Sequence, residues 1–221
     1  PTHTATPTAT STATPTHTPT ATSTATPTVD LNPGFRWCLT DDQPSEFLAI
    51  GDASIYAGQP DDNVGFEPRL MLAQPQAADG EAQILWLFDL RGLPADAVIH
   101  KAQVFAHQAD GESGYYYNIY ETAEPWAEDT VTWNTRPSVR PEKLTDAPGV
   151  YGAWRSFDVT ELIQQRDNAE EPLLSLLMSM AESHQAQVSI LARDFGQRYA
   201  PRLCIDWDRP TPTPTPTWTP T

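Results

Sequence analysis

The sequence predicts an all-β sandwich over residues 29–209, held between two extended tracts at 1–28 and 210–221. Three observations carry this reading. Short apolar runs alternate with Gly, Pro, Asp and Asn turn signals along the whole middle of the chain, which is sandwich spacing. Only one stretch, Thr160–Arg166, carries a helical signature. The two ends contain no apolar run at all, so neither can offset its chain entropy by burial.

The strands follow in order. Glu46–Ile50 and Ser54–Ala57 open the domain as two separate strands, and Arg69–Ala73 follows beyond the Gly58–Asp62 turn. Ala82–Leu90 is apolar on both faces through Gln83–Phe88, as a central strand should be. Val98–His107 places Val98, Ala102, Val104 and Ala106 on one parity, the mark of a half-buried strand. Tyr115–Glu121, Trp154–Phe157, Leu173–Met180, Val188–Arg193 and Arg202–Asp206 complete the set. Asp158 is the expected N-cap of the helix, with Glu161 three residues later in capping-box spacing.

The tracts obey a stricter rule than the domain. Thr stands at every even position from Thr2 to Thr28, with Pro, Ala, Ser or His between. Pro fixes φ and biases its predecessor to extended backbone, so the tracts are expected to be polyproline-II-like. Thr-rich sequence with Pro is also the composition of O-glycosylated stalks. The glycosylation candidates are Thr2, Thr4, Thr6, Thr8, Thr10, Thr12, Thr14, Thr16, Thr18, Thr20, Thr22, Thr24, Thr26 and Thr28, then Thr211, Thr213, Thr215, Thr217, Thr219 and Thr221. Trp218 is a lone aromatic in this polar rod and a candidate docking residue.

All charged residues lie between the tracts, and the net charge is −16. Such a polyanion repels phosphate backbones and anionic lipid, which argues against nucleic acid as a partner. No stretch of 18 apolar residues exists, so no membrane insertion is expected. The chain begins at Pro1 and reads as a processed or excised piece. Cys38 and Cys204 bracket the domain and are expected to form one disulfide, which points to a secreted or cell-surface protein.

Several segments then resemble one family. Asp52-Ala53-Ser54-Ile55-Tyr56, Asn63-Val64-Gly65, Leu93-Pro94-Ala95-Asp96-Ala97-Val98-Ile99, Trp126-Ala127-Glu128-Asp129-Thr130-Val131-Thr132-Trp133-Asn134 with Pro137, Phe157-Asp158-Val159-Thr160 and Pro201-Arg202-Leu203 run in the order of the DNRLRE (disaggregatase-related) family. Ala192-Arg193-Asp194 stands where many members have Ser-Arg-Glu. The resemblance covers about residues 50–206. It implies a jelly-roll β-sandwich of two antiparallel sheets, of a kind found in secreted and cell-surface bacterial and archaeal proteins. Some relatives are classed as carbohydrate-binding modules for acidic polysaccharides such as alginate.

The residues offer little catalytic chemistry. No HExxH, GxSxG or phosphate-binding glycine loop is present, and His100 and His107 have opposite strand parity. No enzyme is expected and no cofactor is required. Asp52, Asp61, Asp62 and Asn63 are candidate ligands for a structural Ca²⁺, because hard oxygen donors on a turn suit that ion. Asp and Asn also occupy turns for their own hydrogen bonds. Tyr115, Tyr116 and Tyr117 are candidate glycan-stacking residues, since alternation sends either Tyr116 or the Tyr115/Tyr117 pair outward. Trp126 and Trp133 read as packing residues. The leading expectation is a bead of an extracellular fibre, one repeat of a longer chain that contacts other copies of itself. The alternative is a carbohydrate-binding module tethered to a polysaccharide-degrading enzyme.

Overall fold

The computed structural model describes residue 38 and residues 46–166, 170–181 and 187–209. The Thr/Pro tracts, their glycosylation candidates, Trp218 and His184 lie outside the described residues.

Among the described residues, ten antiparallel strands build the domain: β1 Glu46–Tyr56, β2 Arg69–Ala73, β3 Ala82–Asp89, β4 Val98–Asp110, β5 Tyr116–Thr122, β6 Val139–Pro148, β7 Trp154–Asp158, β8 Leu173–Met180, β9 Gln187–Leu191 and β10 Arg202–Asp208. One short helix, α1 Thr160–Gln165, sits between β7 and β8. The protein is therefore all-β, in a jelly-roll sandwich arrangement.

The start of β1, β10, β4 and β7 form one sheet. The rest of β1 pairs with β3, followed by β8, β5 and β6, in the other. The two are not separate. β1 leaves β10 after Leu48 and continues along β3, while β4 leaves β10 and reaches β9 at Gln108. Pairing of β9 with β2, and of β2 with β3 at Ala73↔Ala82, closes the ladder on itself. Closure shelters the sheet edges that would otherwise invite pairing with another chain.

A single main core takes side chains from all ten strands. Trp86, Phe88, Leu70, Leu72, Tyr117, Phe157, Leu176, Met178, Leu203 and Trp207 are among its buried members. A second cluster lies on the outer face of β1, β3 and β8. There Ala53, Ile55, Leu85 and Leu177 meet Val131, Trp126 and Trp133 from the 123–138 loop. The central strand β3 is thus covered on both faces, and the two Trp residues pack as expected.

Four local expectations are corrected. The opening pair of strands is one 11-residue strand, β1, with a register shift between Ala49 and Gly51 where it changes partners. Val98 is 47% exposed rather than inward. A register shift skips His100, so the parity of β4 reverses there and Ile99 packs on the core instead. The helix N-cap is Val159, with no side-chain cap, and Glu161 accepts from Gln165 one turn on. Asp158 still accepts the Thr160 N–H at 2.9 Å. Strand β6 carries no strand signal in the sequence, because Val139–Pro148 is charged, Pro-containing and mostly exposed. Such a segment pairs on one side only, here with β5, as Pro and charge permit on an edge.

Cys38 and Cys204 form the expected disulfide, with Cα atoms 4.9 Å apart and a sequence separation of 166. Phe105 and Trp154 pack around it on the outer face of β4 and β10. Closing so long a loop in the unfolded chain is worth about 5 kcal/mol in the chain-entropy model. Urea unfolding should therefore show a stability loss approaching that figure for Cys38→Ser, with added reductant having no further effect on the variant.

Candidate functional site

Three motif segments far apart in sequence meet at Glu128. Its carboxylate accepts the Asp52 backbone N–H at 3.0 Å and pairs with the Arg193 guanidinium at 2.6 Å. Its carbonyl accepts from the Asn63 side-chain amide at 2.8 Å, and the same amide reaches the Val131 carbonyl at 2.7 Å. Gly65 comes so close that a Cβ there would stand 2.1 Å from the Glu128 carbonyl oxygen. The Asn-x-Gly turn, the Trp-Ala-Glu loop and the Ala-Arg-Asp segment are therefore parts of one assembly.

Asp52 lies at its centre and is wholly buried. Its Oδ2 accepts the Arg193 backbone N–H at 2.7 Å, while Oδ1 has no hydrogen-bond partner. Asp52, Glu128 and Asp194 each place one carboxylate oxygen within 4.8 Å of the others. Burial, opposed by the Arg193 hydrogen bond, pushes the Asp52 carboxyl up from 3.8 to about 7. The other metal candidates are used differently. Asn63 bonds the Glu128 loop as above, Asp61 accepts from the Asn134 amide at 2.8 Å, and Asp62 is exposed.

The segment that follows Arg193 carries a row of rings. Arg193–Phe195 forms one 3-10 turn, and the chain then runs through Tyr199 into β10. Phe195 meets Tyr199 at 5.5 Å between centroids, Tyr199 meets His107 at 5.4 Å, and His107 meets Trp154 at 5.4 Å, each edge to face. His107 and Trp154 face each other across the β4–β7 ladder. Guanidinium groups lie over three of the rings: Arg69 over Phe195 at 6.0 Å, Arg198 over Tyr199 at 5.6 Å and Arg202 over Trp154 at 5.1 Å. Phe195 is 45% exposed. Burial lowers the His107 pKa, so its ring is held neutral among these cations.

Both ends of this loop are fixed. Arg193 donates to the Ile50 carbonyl as well as to Glu128. Arg202, almost wholly buried, pairs with Glu46 and donates to the carbonyls of Gln197 and Arg198 at 3.0 Å each. Phe195 and Tyr199 are thus presented by a braced segment, and His107 and Trp154 by paired strands, which limits the entropy lost on binding.

The tyrosine cluster takes one of the two arrangements that alternation allows, with Tyr116 outward. Tyr117 is a core residue with no exposure, and its hydroxyl donates to Gln108 Oε1 at 2.7 Å. Tyr115 is half-buried and donates to Glu112. The outward ring is Tyr116, 52% exposed, and it stands opposite Pro148 of β6. A separate charged groove of about 670 Å³ runs between β6 and α1, lined in part by Glu121, Arg140, Lys143, Asp158, Glu161 and Gln165. At its end Glu121 pairs with Arg140 at 2.8 Å and with the buried Arg166. None of the residues lining it is aromatic.

Sequence reasoning missed the Phe195–Trp154 row. The available signal was weak: two aromatics four residues apart in a turn-rich segment, and one His and one Trp at outward positions on strands not known to be neighbours.

The sequence model of carbohydrate-binding module family 96 matches residues 43–206. The chain belongs to this family. The match spans almost the same residues as the motif resemblance and bears it out at the level of a carbohydrate-module domain. Among curated proteins, none matches the chain.

The Asp52 environment fixes a pH dependence. A carboxyl raised from 3.8 to about 7 contributes stability that is full below pH 4 and is lost as pH rises through 7. In the presence of a chelator, wild type should lose on the order of 4 kcal/mol relative to Asp52→Asn between pH 4 and pH 8. Paired denaturation curves across that range would read the difference, and parallel curves would refute the assignment.

Proposed function

We propose that the domain is a non-catalytic module that binds a polysaccharide outside the cell, along the row Phe195–Tyr199–His107–Trp154. The observation that carries this is the row itself: four rings in file, flanked by Arg69, Arg198 and Arg202. Aromatic faces accept the apolar C–H side of a pyranose ring, and the exposed Arg69 and Arg198 can donate to its hydroxyl or carboxylate oxygens, whereas the buried Arg202 is held by Glu46 and braces Trp154. The family match supports the class of ligand. The disulfide supports the compartment. Within that class, the motif order still favours a DNRLRE-type subgroup.

This reading moves weight from the fibre bead to the tethered module. The fibre reading rested on the Thr/Pro tracts, and neither the fold nor the family lends it support. The tracts remain proposed as glycosylated, extended spacers that hold the module away from its neighbours on the chain.

Affinity electrophoresis through gels containing a neutral glucan or a uronate polymer tests the proposal. Phe195→Ala and Tyr199→Ala should each weaken retention about tenfold, or ~1.4 kcal/mol. Retention by a uronate alone, with strong salt dependence, would assign the arginines to carboxylates. Tyr116→Ala should leave retention unchanged. Loss through Tyr116→Ala with none through Phe195→Ala would move the site to the β5–β6 pair.

A further inference from the structure

We propose that Asp52, Glu128 and Asp194 bind a hard divalent cation, calcium first among them, where β1, the 123–138 loop and the Arg193–Phe195 turn converge. The three carboxylates come from segments about 70 residues apart in sequence, yet each offers an oxygen within 4.8 Å of the others. A chance surface cluster of acids is solvated. This one has a wholly buried member, Asp52, whose Oδ1 has no hydrogen-bond partner. A buried polar atom left in that state is costly, and native structures normally satisfy it.

Charge points the same way. Arg193 is the cation already present, bonded to Glu128 by its guanidinium and to Asp52 by its backbone N–H. Three carboxylates and one guanidinium leave two negative charges when all are ionised, and a divalent ion balances them. The donors are all oxygen, which disfavours zinc. Both Glu128 oxygens hold one partner each and retain lone pairs. Asp194 is exposed, so one side of the site is open for waters and for exchange. Calcium accepts such an irregular set, whereas magnesium demands near-octahedral geometry. The rival occupant of Asp52 is a proton, and the experiment separates the two.

Terbium serves as the probe, because Trp126 lies beside the site: its ring carbon Cη2 would stand 3.5 Å from a Cβ on Gly51. The full chain should give Trp-sensitised terbium emission that calcium displaces. Its melting temperature should rise with added calcium and continue to rise as the concentration grows. Asp194→Asn, an exposed substitution that spares the fold, should abolish both effects, as should Asp52→Asn. Absence of emission and of any melting shift up to about 10 mM calcium, beyond the weak end for extracellular modules, would overturn the proposal. Emission unaltered by Asp194→Asn would overturn it equally, by placing the ion elsewhere. A calcium-insensitive protein that Asp52→Asn stabilises above pH 7 would give the site to the proton.

Discussion

Glu128 is the constraint from which much of the rest follows. Its side chain and its carbonyl together hold four groups from three distant segments: the Asp52 N–H, the Arg193 guanidinium, the Asn63 amide and the close-packed Gly65. Within the same loop, Val131, Trp126 and Trp133 cover the outer face of β1, β3 and β8. The loop therefore does two jobs with one attachment. It closes a second apolar cluster over the sheet, and it fixes the chain entering the Arg193 turn. The Glu128–Arg193 pair is partly buried, and because its members share partners with Asp52 and Asn63, substitutions at this junction are expected to couple rather than add.

That junction and the ring row are the two ends of one mechanical element. Arg193 grips β1 and the 123–138 loop, while Arg202 grips the carbonyls of Gln197 and Arg198 from the first position of β10. Between them lie Phe195 and Tyr199. A loop gives freedom to shape a binding surface, and a rigid frame keeps that freedom from costing affinity. Here the frame consists of two arginines that donate to backbone carbonyls, the planar fork being suited to hold several acceptors at once. Arg202 also lies over Trp154, so the same side chain orders both the loop and the last ring of the row.

Much of this fold was legible in the sequence, because most strands alternate and are bounded by turn residues. Arg69–Ala73 and Leu173–Met180 have the expected limits. The losses have physical causes. Strand β6 buries almost nothing, so no apolar period marks it. The bulge at His100 reverses parity, which a fixed period of two cannot anticipate. The site was legible only in pieces. Asp52 was singled out, but with Asp61, Asp62 and Asn63, its neighbours along the chain. Its partners Glu128 and Asp194 lie 76 and 142 residues away, and only the topology brings them together. Alternation did require that Tyr116 and Tyr117 face opposite ways. Which of them enters the core depended on Gln108, which provides the buried acceptor for the Tyr117 hydroxyl.

The net charge of −16 opposes a polyanionic ligand, and the proposed ring row gives a reason why net charge is a coarse guide. Net charge governs approach at long range, and salt screens it beyond roughly 8–10 Å. Contact chemistry is decided within a few ångströms. At the row the exposed Arg69 and Arg198 lie over Phe195 and Tyr199, while Arg202 over Trp154 is buried and already paired with Glu46. A strongly acidic protein can thus present a local surface of opposite sign. The acidic remainder then affects how fast a charged chain arrives, and the arginines affect whether it stays. For a neutral glycan the same guanidinium groups still donate to hydroxyls, and the distant carboxylates have little influence. On the proposed reading the row is compatible with both ligand types, with selectivity set by hydrogen bonds from Arg69 and Arg198 rather than by the overall charge of the domain.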